Sequence, residues 1–355
     1  MHVLYTFFFK FIGMEVFFKI CASLPKAPQA PSTFVLRTFL IPTFPQSIMS
    51  EFVLAASAAM GACMFTNPLE VLKTRMQFQG ELQAKGKHAV HYRNVFHATY
   101  NIVKNDGVLA LQKGLVPALW VQLFLNGMRL GVYQVSANNG LLHDKDGNLI
   151  LFNSAMIAGI GGTMGQILSS PMFLIKTHLQ TQAVQNIAVG YQHKHTGTWS
   201  ALRTIFQKHG VRGIFQGVTA AMPRGFIGSV SQLLAFDYSK QYLLRYDYFK
   251  DKKLLTAFMG SMVGGVAISF AMTPFDLIMT RLYNQPTDAS GKGTIYNSYL
   301  DCVRKIYKTE GVSAFYKGVG PMYLRLGPHT VLCLVFWDEL NHLYAKFKTS
   351  ELRLN

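Results

Sequence analysis

Arg129, Arg224 and Arg325 each sit inside an otherwise apolar run of the 355-residue chain. A guanidinium presents a planar fork of donors that holds carboxylate or sulfate oxygens through two parallel hydrogen bonds, so two or three of them suit a small dianion. At membrane depth an arginine costs about 3 kcal/mol or more and normally faces a cavity or a partner. No acidic residue lies within one helical turn of any of the three, so a local ion pair is not expected. The competing account is that they snorkel to an interface or bond backbone carbonyls. His329 follows Arg325 by four residues and Asn126 precedes Arg129 by three, so each shares a helical face with its arginine. His329 reads as a hydrogen-bond donor before it reads as a proton carrier, and Gln232 is a weaker polar candidate of the same kind.

The elements that must carry these side chains are membrane helices. Half of the residues are hydrophobic and 14% are charged, against about 25% charged in a soluble domain. Apolar runs at 52–66, 116–133, 151–163, 226–236, 255–272 and 323–337 fall short individually of the roughly 20 residues that span a bilayer core. Small and polar residues interrupt them, as in helices that line a watery cavity. The net charge of +17 suits nucleic acid, an anionic membrane surface or anionic substrates. The chain has no nucleic-acid-binding motif and no basic block interleaved with aromatics, which argues against the first. Cys21, Cys63, Cys302 and Cys333 lack C-x-x-C spacing and read as small buried hydrophobes, so no disulfide framework, metal site or cofactor is expected.

The architecture follows from repetition. Pro68-Leu69-Glu70-Val71-Leu72-Lys73, Pro171-Met172-Phe173-Leu174-Ile175-Lys176 and Pro274-Phe275-Asp276-Leu277-Ile278-Met279 are versions of one hexapeptide, spaced 103 residues apart each time. A second element repeats in phase: Asp106-Gly107 to Lys113-Gly114, His209-Gly210 to Gln216-Gly217, and Glu310-Gly311 to Lys317-Gly318. Each unit reads as a helix kinked or broken at Pro68, Pro171 or Pro274, a polar linker, a short surface helix and a second membrane helix. The expected fold is therefore an all-α membrane protein with six spans. Its parts are an N-terminal extension (1–48), three repeats (49–145, 146–250 and 251–346) and a C-terminal tail (347–355). The extension lies outside the repeat and reads as disordered or as an artefact of the start codon. Small pairs at Ala55/Ala59, Ala158/Gly162 and Ser261/Gly265 predict close helix packing.

Proline-x-acid-x-x-base, a linker, then acid-Gly-x4-aromatic-base-Gly, three times over, resembles the mitochondrial carrier family, solute carrier family 25. The stretches Thr66 to Glu70, Tyr283 to Asp288 and Arg325 to Thr330 look like its member 34/35 branch, which is similar to the oxaloacetate, dicarboxylate and oxoglutarate carriers. The resemblance implies a pseudo-threefold barrel in the mitochondrial inner membrane, one central site and alternating access between two salt-bridge gates. It implies a matrix gate in which Glu70 pairs with Lys176 and Asp276 with Lys73, while Phe173 faces Met279 where an acid and a base have both gone. It also implies that Gln77 and Gln180 brace those pairs, with Tyr283 in the third bracing position. Arg224 and Arg325 fall at the family's contact points, Arg129 lies lower on its helix, and the uncharged third contact point falls near Gln122. Of the cytosolic gate only Asp237 and Lys240 form a complete aromatic-acid-x-x-base motif, and Asp338 lacks its base. Gln112 and Gln216 depart from the second motif.

The function expected is exchange of small dicarboxylates, such as oxaloacetate, malate or malonate, or of sulfur oxoanions. The partners expected are small anionic metabolites and inner-membrane lipids including cardiolipin, with a monomeric protein and no nucleic acid. The alternatives are a non-transporting adaptor that keeps the fold and a proton-leak uncoupler; a nucleotide carrier fits less well. No nucleophile, base and oxyanion donors stand together, so an enzyme is not expected.

Overall fold

The computed structural model describes residues 48–83, 92–142, 150–250, 252–288 and 291–354. The N-terminal extension before residue 48 and most of the first linker lie outside the described residues. Long helices α1 (Ile48–Phe78), α3 (Leu115–Asn138), α4 (Leu151–Thr181), α6 (Val218–Leu243), α7 (Lys253–Asn284) and α9 (Val319–Leu354) alternate with surface helices α2 (Val95–Asp106), α5 (Thr198–Ile214) and α8 (Tyr299–Glu310). The last helix continues through the segment expected to be a tail. Residues Val108–Ala137 and Leu254–Asn284 are long and apolar enough to cross a membrane.

The long helices close a ring: α1 packs on α3, α3 on α4, α4 on α6, α6 on α7, α7 on α9 and α9 back on α1. The α4–α6 crossing is close because Gly162 and Gly225 meet there; a Cβ on Gly162 would lie 2.5 Å from the Gly225 carbonyl oxygen. That is the packing role expected of Gly162.

Pro68, Pro171 and Pro274 lie inside helices that continue through them, so the prolines bend rather than end α1, α4 and α7. Proline cannot donate to the carbonyl four residues before it. For Pro68 that carbonyl belongs to Met64, and Gln112 Nε2 donates to it at 3.1 Å. The departure at Gln112 therefore has a structural use.

The surface helices bury one face each: Ala98 and Ile102, Ala201 and Ile205, Cys302 and Ile306. These are the i, i+4 pairs that an amphipathic helix presents to a core. Asn94 and Ser298 accept from His97 N and Asp301 N, satisfying N-terminal donors of α2 and α8. The α5 backbone departs from helical geometry at Gly210, where φ is +62°.

Candidate substrate site and gate

Near the prolines, α1, α4 and α7 converge on a buried ionic network. Lys73 Nζ is 2.9 Å from Asp276 Oδ2, and Lys176 Nζ contacts Glu70 Oε2, joining α1 to α7 and α4 to α1. The pairing around the ring is the one that the resemblance implied. Glu70 and Asp276 keep 5% and 1% of their side-chain surface exposed, and a buried carboxylate persists as an ion only when paired and hydrogen-bonded.

Two arginines join this network through acidic partners on other helices, which the absence of a local ion pair did not foretell. Arg325 Nη1 on α9 lies 2.9 Å from Glu70 Oε1, and Arg224 Nε on α6 lies 3.2 Å from Asp276 Oδ1. Arg224 also donates to Gln166 Oε1 at 2.9 Å. The partners come from other helices, so a search within one helical turn could not find them. Arg129 donates to Gln232 Oε1 at 3.2 Å, uniting two residues singled out separately in the sequence. His329 joins three helices: its Nδ1 is 3.1 Å from Thr66 Oγ1, and its Nε2 is 3.5 Å from Gln122 Nε2. Asn126 is half-buried on α3, one turn from Arg129.

The bracing residues divide. Gln77 Nε2 donates to Asp276 Oδ2 at 3.1 Å, as a brace should. Gln180 instead accepts from Thr74 Oγ1 and donates to Asn67 Oδ1, so its bonds tie α4 to α1 beside the ion pair and not onto it. Tyr283 stacks on Phe173 with ring centroids 6.4 Å apart and bonds Ser170 Oγ at 2.8 Å. A stacked and hydrogen-bonded tyrosine thus stands beside Phe173, at the position where an apolar residue replaces the acid. Phe173 and Met279 share one buried cluster, where Gln166 Nε2 contacts the Met279 sulfur at 3.8 Å.

At the opposite end Asp237 accepts from Gln241 in the next turn of its own helix, 2.8 Å away. Lys240 is half-buried on that helix, and Asp338 is on α9.

A second ionic layer was missed in the sequence. Arg75 and Arg281, each seven residues after its proline, pair with Asp106 and Glu310 at 2.7 and 2.5 Å. Both arginines are fully buried. Lys113 and Lys317 complete these clusters at 3.8 and 2.6 Å. The arginines also reach the next repeat: Arg75 Nε donates to the Gln180 carbonyl and Arg281 Nη2 to the Gln77 carbonyl. The glycines that follow in the second motif have φ of +71°, +77° and +84° at Gly114, Gly217 and Gly318. Their missing side chains leave room for Gln180, Tyr283 and Gln77, which a Cβ would approach to 2.9–3.0 Å. The signal was legible as an arginine at constant offset from each proline, broken only at His178.

Three repeats of paired helices around a buried ionic network that two arginines join are the architecture of a solute carrier. A family model described as "Mitochondrial carrier protein" matches residues 44–141, 148–247 and 250–348, and the chain belongs to that family. It is 51% identical over 297 residues to "Solute carrier family 25 member 35" of Mus musculus, covering 84% of this chain and 99% of that protein. It is 36% identical over 314 residues to the "Mitochondrial oxaloacetate transport protein" of Saccharomyces cerevisiae, covering 87% and 94% of the two chains. "Mitochondrial citrate transporter E" of Aspergillus niger is 36% identical over 300 residues, covering 84% and 94%.

Proposed function

We propose that the protein exchanges small dicarboxylates, and sulfur oxoanions of similar charge, across the mitochondrial inner membrane by alternating access. The observation that carries this reading is a charge imbalance. Four cations, Lys73, Lys176, Arg224 and Arg325, share two carboxylates, Glu70 and Asp276. The excess of two positive charges in a low-dielectric site favours a dianion strongly. Relatives named for oxaloacetate and citrate transport support a substrate carrier.

The arrangement also couples binding to opening. A substrate carboxylate that takes the Arg325 fork competes with Glu70, and one that takes Arg224 competes with Asp276. Each capture removes one cation from the gate, so the free energy of anion binding is applied to the pairs that hold the helices closed. Gln122, Asn126, Arg129 and His329 lie on the faces that complete the site, with Asp237, Lys240 and Asp338 belonging to the gate at the far end. Without a dianion the excess charge resists burial in the occluded intermediate, which favours exchange over one-way transport. The protein would work as a monomer among inner-membrane lipids, cardiolipin included.

The test is radiolabelled counter-exchange in proteoliposomes across malate, malonate, oxaloacetate, sulfate and thiosulfate. Saturable exchange of a dianion is expected. Discharge of a membrane potential by protons with no anion exchange would point to an uncoupler, and neither activity in folded protein would point to an adaptor.

A further inference from the structure

We propose that His178, His193 and His195 form a binding site for one divalent metal ion of the nitrogen-preferring class, with zinc the best fit, at the gate end of the second repeat. One ring nitrogen from each histidine lies within 4.8 Å of the others. His178 ends α4, while His193 and His195 belong to the loop that follows it.

Hydrogen bonds to carbonyls fix the tautomers of His178 and His193. His178 Nε2 is 2.9 Å from the Tyr283 carbonyl oxygen, and His193 Nε2 is 3.0 Å from that of Asn284. A carbonyl only accepts, so each Nε2 carries the proton and each Nδ1 keeps a lone pair. A metal-ligating histidine commonly donates its second ring N–H to a backbone carbonyl in this way, which orients the ring and raises its basicity. His178 Nδ1 faces His195 Nε2 at 3.4 Å. Tetrahedral zinc with bonds of about 2.0–2.1 Å separates its nitrogen ligands by roughly 3.3 Å. Two of the three nitrogens therefore already stand at ligand spacing. The rings lie within 10° of parallel, so coordination asks the two loop histidines to fan out of the stack. Both are partly exposed and on loop backbone, where such rotation is least costly. The adverse charge nearby is Lys208, which acts on His195.

The threefold pattern says what such an ion would replace. Position 178 corresponds to Arg75 and Arg281, and His178 keeps half of their role by bonding the carbonyl of the next repeat's bracing residue, here Tyr283. The other half has gone, because His209 stands where Asp106 and Glu310 stand, and Gln216 where Lys113 and Lys317 stand. Where two repeats hold a buried Arg–carboxylate–Lys cluster, the second holds three stacked imidazoles with one ring nitrogen of each within 4.8 Å of the others. Imidazole sets of this type favour zinc, copper or nickel over magnesium or calcium. An ion there would tie the end of α4, its loop and, through the two carbonyls, the end of α7.

The test uses tag-free full-length protein in detergent, titrated with Co2+ and then Zn2+. One Co2+ per chain is expected, with the absorption bands of a low-coordinate nitrogen site and their loss on adding Zn2+. His195→Phe keeps the stacked ring and removes its nitrogens, so it should weaken binding at least about tenfold. The same variant should lose the rise in thermal midpoint that Zn2+ gives wild type. If its metal-free melt shows misfolding, His193→Asn is read in its place with the same expectation. Absence of saturable binding in wild type, or undiminished binding in a folded variant, would overturn the proposal. Neither readout depends on any transported substrate.

Discussion

Arg325 on α9 and Glu70 on α1 meet at 2.9 Å, so a residue proposed for the substrate site and a residue proposed for the gate are one ion pair. The same holds for Arg224 and Asp276 at 3.2 Å. In the proposed function recognition and gating are thereby one network of charges, and the consequences can be measured.

Arg325→Ala and Arg224→Ala should each cut exchange about ten- to a hundredfold, since a charge-assisted hydrogen bond is worth about 1.5–3 kcal/mol. The fold should survive, because Glu70 retains Lys176 and Lys73, and Asp276 retains Lys73. Initial rates in proteoliposomes with melting curves on the same samples would check this. Wild-type rates in either variant would remove that arginine from the site.

Phe173→Asp places a carboxylate where Lys176 Nζ and the Arg224 guanidinium lie 5.0 and 5.4 Å from the present ring. Exchange should slow as Arg224 is drawn toward the new acid. Adding Met279→Lys supplies a competing cation and should restore part of the rate. A coupling energy of about 0.5–3 kcal/mol in the double-mutant cycle is expected of residues in one network; strictly additive effects would show that the two positions do not communicate.

Gln112→Ala removes the donor to the Met64 carbonyl that Pro68 leaves free. The bond is part-buried, and loss of a partner to a fully buried acceptor costs about 1–3 kcal/mol, so the melting midpoint should fall by the equivalent of about 1 kcal/mol. Gln112→Glu cannot donate in its charged form and should do no better. An unchanged midpoint in both would mean that another group or water takes the carbonyl.

Burial holds the His193 imidazole down to about 4, from an ordinary 6.5, against the opposing hydrogen bond to the Asn284 carbonyl. His195 is lowered too, by burial and by Lys208. The folded loop thus needs neutral rings while the unfolded chain takes up protons near 6.5, so their stabilising contribution is complete above that value. It is lost as pH falls from about 6.5 through about 4. Melting midpoints recorded with a chelator present should fall over that window in wild type and less steeply in His193→Ala. Parallel curves would assign the acid sensitivity elsewhere.

The hexapeptides at Pro68, Pro171 and Pro274 determined the helix count and the threefold order, because a repeated sequence must bury repeated faces against its neighbours, while the pairing expected around the ring was implied by the resemblance to the carrier family. A surface helix in each repeat was legible from the same periodicity. The partners of Arg224 and Arg325 were not, since Asp276 and Glu70 reach them from helices 52 and 255 residues away in the chain. Composition said that these arginines needed anions, but only the closed ring decided that the protein's own carboxylates supply them in this state. The histidine cluster was likewise decided in three dimensions. His193-Lys194-His195 is visible as a short motif, yet its third member arrives from α4, and the lone pairs are aimed by carbonyls at the end of α7. Sequence repetition fixes which positions are equivalent, and tertiary packing fixes which charges and lone pairs meet, because Coulomb and hydrogen-bond energies depend on separation in space and not along the chain.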